Sequence, residues 1–128
     1  GPDRWFVQDD GFDAQCHAFE AAHHAAARRE LTHWEADAAS ALALVLLLDQ
    51  LPRNLYRGSP HAFATDGLAC AVAERAVEAR FDLGTAMPLR IFFYLPLEHA
   101  EDLAKQERCV ALMEAMGNAE YARYALLH

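Results

Sequence analysis

Apolar residues recur along the chain at helical spacing, and capping residues and prolines cut the pattern into segments. The first helix opens at Asp9 or Asp10, whose carboxylates can cap free amides. It runs to about Arg29, where Arg28 and Arg29 suit the negative helix end. Phe12, Cys16, Phe19, His23 and Ala26 share one face, which is expected to pack inward. After a turn over residues 31–35, Asp37 is placed to cap a second helix ending near Asp49 or Gln50. Ala, Leu and one Val surround that helix on every side, so it should be the central, most buried element. The shortage of Ile and Thr argues against a strand there.

Pro52 and Pro60 interrupt the chain on either side of a segment that reads as a turn or short helix followed by a loop. A third helix is expected over residues 61–79, with Phe63, Gly67, Cys70, Ala73 and Val77 on its inner stripe. Gly84 and Pro88 mark the next break. The apolar, aromatic stretch over residues 89–97 should be split by Pro96 into two short helical pieces. A fifth helix follows over residues 101–116, stopped by Gly117, and Asn118 can cap a sixth that is still running at Leu127 and His128. The expectation is an all-α single domain over residues 3–128, of antiparallel helix pairs, with about five to six main helices around a buried central one. Gly1-Pro2 reads as the remnant of a cleaved purification tag. The last helix, with its two terminal leucines and no stop signal, should continue into something that covers it, and a homodimer through that face is one such cover.

The 128 residues leave room for one ordinary core, and the composition, 54% hydrophobic and 23% charged, is that of a globular chain. A net charge of -8 repels nucleic-acid phosphates and anionic membranes, so neither is an expected partner. The apolar run over residues 41–48 is too short to cross a bilayer, and no cationic leader precedes a cleavable segment. Cys16, Cys70 and Cys109 fit no metal or redox spacing and read as reduced thiols buried in a cytoplasmic protein.

Chemistry concentrates where the apolar second helix ends in Asp49, Gln50, Arg53 and Asn54 around a proline. Asp49 sits at the unfavourable end of the helix dipole, and Arg53 and Arg57 are its obvious partners. These groups can form a structural ion pair, or a carboxylate base beside guanidinium forks that hold an anion. Tyr94, Glu98, His99, Glu101, Asp102 and Gln106 form a second group, in which neighbouring acids raise the basicity of His99. The acids there also suit a helix start, and Glu101 with Lys105 makes a favourable i,i+4 pair. Asp66 lies beside the inner stripe of the third helix and should have a partner, a backbone amide or an arginine. His17 and His24 lie near one side of the first helix while His23 falls on the Phe stripe, so they match no metal pattern. No Gly-rich phosphate loop, nucleophile elbow or kinase signature is present. Neither a metal nor a cofactor is expected.

Several segments, in order, resemble one bacterial family, the domain-of-unknown-function family 924. They are Trp5-Phe6, Phe12-Asp13, the run from Leu47 through Asp49-Gln50-Leu51-Pro52-Arg53-Asn54 to Gly58, Ala62 to Asp66, Phe93 to Leu97, and His99 to Asp102. The resemblance covers nearly the whole chain. It implies a tetratricopeptide-like, right-handed helical array and no established activity. Its polar motif positions fall on Asp49, Gln50, Arg53, Asn54, Arg57, Asp66, Tyr94, His99, Glu101 and Gln106. Ala100 stands where the family usually has Ser, which removes a hydroxyl from the suspected site. The family also continues into an Arg-, Phe-, Pro- and His-rich segment beyond the point where this sequence stops, so a pocket completed by that segment would be open here.

Three functions fit these residues. The preferred one is a binding or interaction module whose polar groove, lined by Arg53, Arg57, Asp66, Tyr94 and His99, takes an anionic small molecule or a peptide carboxylate. Gln50, Asn54 and Gln106 are its further ligand-binding candidates. The rival is an enzyme in which Asp49 or Glu101 polarises His99 as general base while Arg53 and Arg57 stabilise developing charge. It requires Asp49 and His99 to lie within hydrogen-bond reach. The third is purely structural, the polar motifs locking the turns around Pro52 and Pro96.

Overall fold

The structure, a computed structural model, describes the backbone of residues 10–127 and the side chains of residues 15–117. Six α-helices follow one another: α1 (Asp10–Ala27), α2 (Ala38–Leu48), α3 (Gln50–Leu55), α4 (Asp66–Glu78), α5 (Leu95–His99) and α6 (Leu103–Leu127). Short 3-10 turns at Thr32–Ala36, Pro60–Phe63 and Leu89–Phe93 link them. No strand occurs among the described residues, so the expected all-helical class holds. No described helix is long and apolar enough to cross a membrane.

α2 is the central element, as its all-round apolar sequence predicts. Asp37 caps it by accepting from the Ser40 amide at 2.9 Å. Ala41, Leu42, Leu44, Val45, Leu47 and Leu48 are all buried, and α1, α3, α4 and the first and third 3-10 turns pack around them. Cys70 and Cys109 are buried free thiols, while Cys16 is partly exposed. Burial pushes the Cys70 thiol up to about 11, with the Glu74 bond adding to it, and burial raises Cys109 as well. Neither is a reactive thiolate.

The breaks in α-structure after α1 and α4 each open through an arginine. Arg29 and Arg80 adopt left-handed backbone with φ of 63° and 64°. Each closes its helix with a pair of backbone bonds, Glu30 N to Ala25 O at 2.9 Å in one case and Phe81 N to Ala76 O at 3.0 Å in the other. This is the double-bonded C-terminal closure usually given to glycine.

Three sequence expectations are corrected. Phe19 is 53% exposed rather than inward, because the inner face of α1 follows His23 and Ala26 and leaves Phe19 beside Trp34 on the wall of an apolar groove. The third helix does not start at His61: residues 60–63 form a 3-10 turn, and α4 begins at Asp66. The break at Thr65 frees its hydroxyl to donate to Leu48 O at 2.7 Å. As a result the buried stripe of α4 is Ala69, Cys70, Val72, Ala73 and Ala76, and Phe63 and Gly67 lie outside it. Finally, Gly117 does not stop a helix, because α6 passes straight through it. A glycine costs a helix only about 1 kcal/mol, too little to break one that is otherwise continuous. The Asp9 cap and the inward placement of Phe12 lie outside the residues and side chains described.

Candidate functional site

The last turn of any α-helix leaves carbonyls without intrahelical donors, and in α2 three consecutive ones are met by side chains from elsewhere in the chain. Leu47 O bonds His23 Nδ1 of α1 at 2.7 Å. Leu48 O accepts from the Thr65 hydroxyl at 2.7 Å. Asp49 O accepts from Arg53 Nη1 of α3 at 2.9 Å. Two polar clusters therefore grow from the end of the central helix.

The first is centred on the Asp49 carboxylate, which is only 1% exposed. Asp49 ends α2 and also caps α3 in position, so the helix that follows presents its favourable end and offsets the dipole penalty foreseen from sequence. Asp49 Oδ1 accepts from Arg53 Nη1 at 2.8 Å and faces His99 Nδ1 at 2.9 Å, while Oδ2 accepts from the Gln50 amide at 3.0 Å. A carboxylate facing an imidazole nitrogen in this way makes that nitrogen the donor. Nε2 has no hydrogen-bond partner among the described residues, and the ring's side chain is 26% exposed. Arg53 also grips Asp66 with both terminal nitrogens at 2.9 Å, and the Phe63 ring lies 5.5 Å from its guanidinium carbon. The exposed Phe63 thus covers an ion pair rather than joining the core.

Of the sequence candidates, Asp49, Gln50, Arg53, Asp66 and His99 meet in this one network. The others do not join it. Asn54 and Arg57 are exposed. Tyr94 is fully buried, its hydroxyl donating to Asp82 Oδ2 at 2.5 Å and accepting from Arg90 Nε at 2.8 Å. Burial, then the Asp82 bond, lifts that hydroxyl to about 12. Glu101 is exposed, and Lys105 pairs with Glu74 rather than with Glu101. Gln106 donates to Ala100 O at 2.7 Å, which closes the α5–α6 connection. Asp82, buried and with Oδ1 unpartnered among the described residues, was not legible in the sequence.

The second cluster was not foreseen either. His23, His24 and His61 gather with Tyr56, and the candidate ligand atoms of the three histidines all lie within 4.8 Å of one another. His23 Nε2 is 3.1 Å from His61 Nε2. Tyr56 donates to Glu20 Oε2 at 2.8 Å, and its hydroxyl is 3.4 Å from His24 Nε2. The spacing within α1 gave no metal pattern because the third histidine comes from beyond α3. The available signal was His23 itself, a polar residue on an inward stripe, which needed a partner from another element.

The fold and these clusters define an all-helical domain whose polar side chains converge on the end of one buried helix. The sequence matches the bacterial family of unknown function DUF924 over residues 1–128, and the chain belongs to that family. A solved structure of ATU0120, a protein of unknown function from Agrobacterium tumefaciens, is similar, with 50% sequence identity and a TM-score of 0.77. The match covers 91% of this chain and 66% of that one, so the chain spans just under two thirds of the relative's length. No curated protein matches.

Proposed function

We propose that the Asp49 junction is an acid–base centre of a small-molecule enzyme, with His99 as the group that accepts and returns a proton and Asp49 as the residue that orients it. The observation that carries this reading is the 2.9 Å contact between His99 Nδ1 and a carboxylate that is 1% exposed. A buried acid fixing one nitrogen of an imidazole that is itself only partly buried is an arrangement general-base catalysis can use. Glu101 is exposed and, among the described residues, has no bond to His99, so Asp49 is the orienting acid. The anion-binding groove is less favoured: the Arg53 guanidinium is committed to Asp49 and Asp66, and an anionic ligand would have to displace a carboxylate from it. Arg57 is exposed and makes no ion pair among the described residues.

The same saturation of Arg53 favours a second reading, in which the network only locks α3, α4 and α5 together. Two measurements on His99→Gln separate the readings. An acid–base centre predicts hydrolysis of activated carboxylic and phosphate esters above the free-imidazole rate, reduced by about 100-fold or more in the variant, with little change in denaturation midpoint. A lock predicts no such turnover and a loss of stability. Pairing of two copies through the last helix falls largely on side chains outside those described, and light scattering tests it directly.

A further inference from the structure

We infer that His23, His24 and His61 form a binding site for a divalent first-row transition ion of the zinc type. Four features converge on it. The three imidazoles come from two distant parts of the chain, α1 and the 3-10 turn Pro60–Phe63. A local crowding of histidines on one helix would not bring this about. Their candidate ligand atoms lie within 4.8 Å of one another. A tetrahedral ion with bonds of about 2.0–2.1 Å to nitrogen sets its ligand atoms about 3.4 Å apart. The His23–His61 separation of 3.1 Å is already close to that, and rotation of two partly exposed rings brings in the third.

The next feature is the hydrogen bond from His23 to Leu47 O at 2.7 Å. A carbonyl can only accept, so His23 carries its proton on Nδ1 and turns the Nε2 lone pair towards His61. This is how metal-bound histidines are held in tautomer and orientation, by an acceptor behind the ring. Without an ion, two imidazole nitrogens at 3.1 Å can share one hydrogen bond, whereas an ion at the point where the three rings converge accepts all three lone pairs at once.

The last feature is charge. Three neutral imidazoles add no negative charge, and Glu20 supplies it: its carboxylate bonds the Tyr56 hydroxyl that borders the cluster. Tyr56 and Glu20 stand as outer partners, and the fourth coordination position is left for water or a ligand. Imidazole ligation selects zinc, nickel, cobalt or copper over magnesium and calcium. The assignment is independent of the role given to Asp49 and His99, which belong to the other cluster.

The test is isothermal titration of Zn2+ into the tag-free chain, paired with metal analysis after dialysis. The expected result is one ion per chain and a higher melting temperature when it is present. His61→Ala and His24→Ala, both at partly exposed positions, should each weaken binding beyond the 10–100-fold that outer-partner changes typically produce. Tyr56→Phe should fall within about that range. Apo melting and circular dichroism of the variants establish that they fold, and His99→Gln should leave the affinity unchanged. Absence of stoichiometric binding by the wild-type chain would overturn the assignment. So would unchanged affinity in both histidine variants, or binding lost only with His99→Gln.

Discussion

A carboxylate taken out of water must find donors inside the protein, and Asp49 finds them in Arg53, Gln50 and His99. Arg53 is the costly one to remove, because Arg53→Ala leaves the buried acid without its charged partner and Asp66 without its clamp. Breaking such pairs costs about 3–5 kcal/mol, and the partial exposure of Arg53 places the expected loss near the low end. Urea denaturation at pH 7 reads it, and a loss below about 0.5 kcal/mol would mean that the network is solvated like a surface pair. Tyr94 carries a second prediction, in pH. Its folded-state value of about 12 lies above the ordinary 10.0, so the neutral hydroxyl favours the fold. That contribution is complete below pH 10 and is lost as pH rises from 10 towards about 12. Tyr56, also lifted to about 12 by burial and then by its bond to Glu20, adds to the same alkaline fall. In Tyr94→Phe the fall between pH 10 and 12 should be shallower, while at pH 7 the variant should be less stable by about 1–3 kcal/mol because buried Asp82 loses its donor. Stability curves at several pH values check both signs. These residues were legible from sequence to different degrees. The abrupt change from apolar α2 to Asp49, Gln50 and Arg53 announced a polar junction. Nothing in the neighbours of Asp82 or His61 did so, because their partners lie 12 and 38 positions away.

At the scale of elements, helix spacing and the Asp37 cap were enough to place α2, and Pro96 to place the divided segment before α6. Where sequence and structure part, a single local signal is weaker than the helix around it. Gly117 marks a stop in the sequence pattern, but α6 continues through it, and a Cβ built there meets nothing within 4 Å. Gly117→Ala should therefore stabilise the protein by about 0.5–1 kcal/mol. A destabilised variant would place a helix break at that point after all. The start of α4 failed for the opposite reason: periodicity ran smoothly from residue 61, while the long-range bonds of Thr65 and Asp66 decide where the helix begins. The arginine-closed ends of α1 and α4 carry a related expectation. Arg80→Gly removes a left-handed non-glycine residue and should raise the melting midpoint, since each such residue costs about 1–2 kcal/mol.

The whole molecule is organised around the C-terminal end of α2, where carbonyls of Leu47, Leu48 and Asp49 are met by His23, Thr65 and Arg53. Each of these bonds ties a different part of the chain to the same buried turn, and α2 is itself packed between α1 and α4. Such an arrangement makes one cooperative unit rather than a row of helix pairs that open separately. Thr65→Val tests this, since it keeps the shape of the side chain and removes one donor, at a cost of about 1–2 kcal/mol. If the end of α2 holds the unit together, native-state hydrogen exchange in α2 and α4 should be faster in the variant than in wild type, with protection reduced by the same free energy as the global loss. If the turn opens by itself, the loss of protection will be confined to the amides of residues 60–66 while α2 keeps its wild-type exchange rates. In that second outcome the polar clusters would move independently of the core, and the geometry on which both the acid–base centre and the histidine site depend would be a local property of their loops.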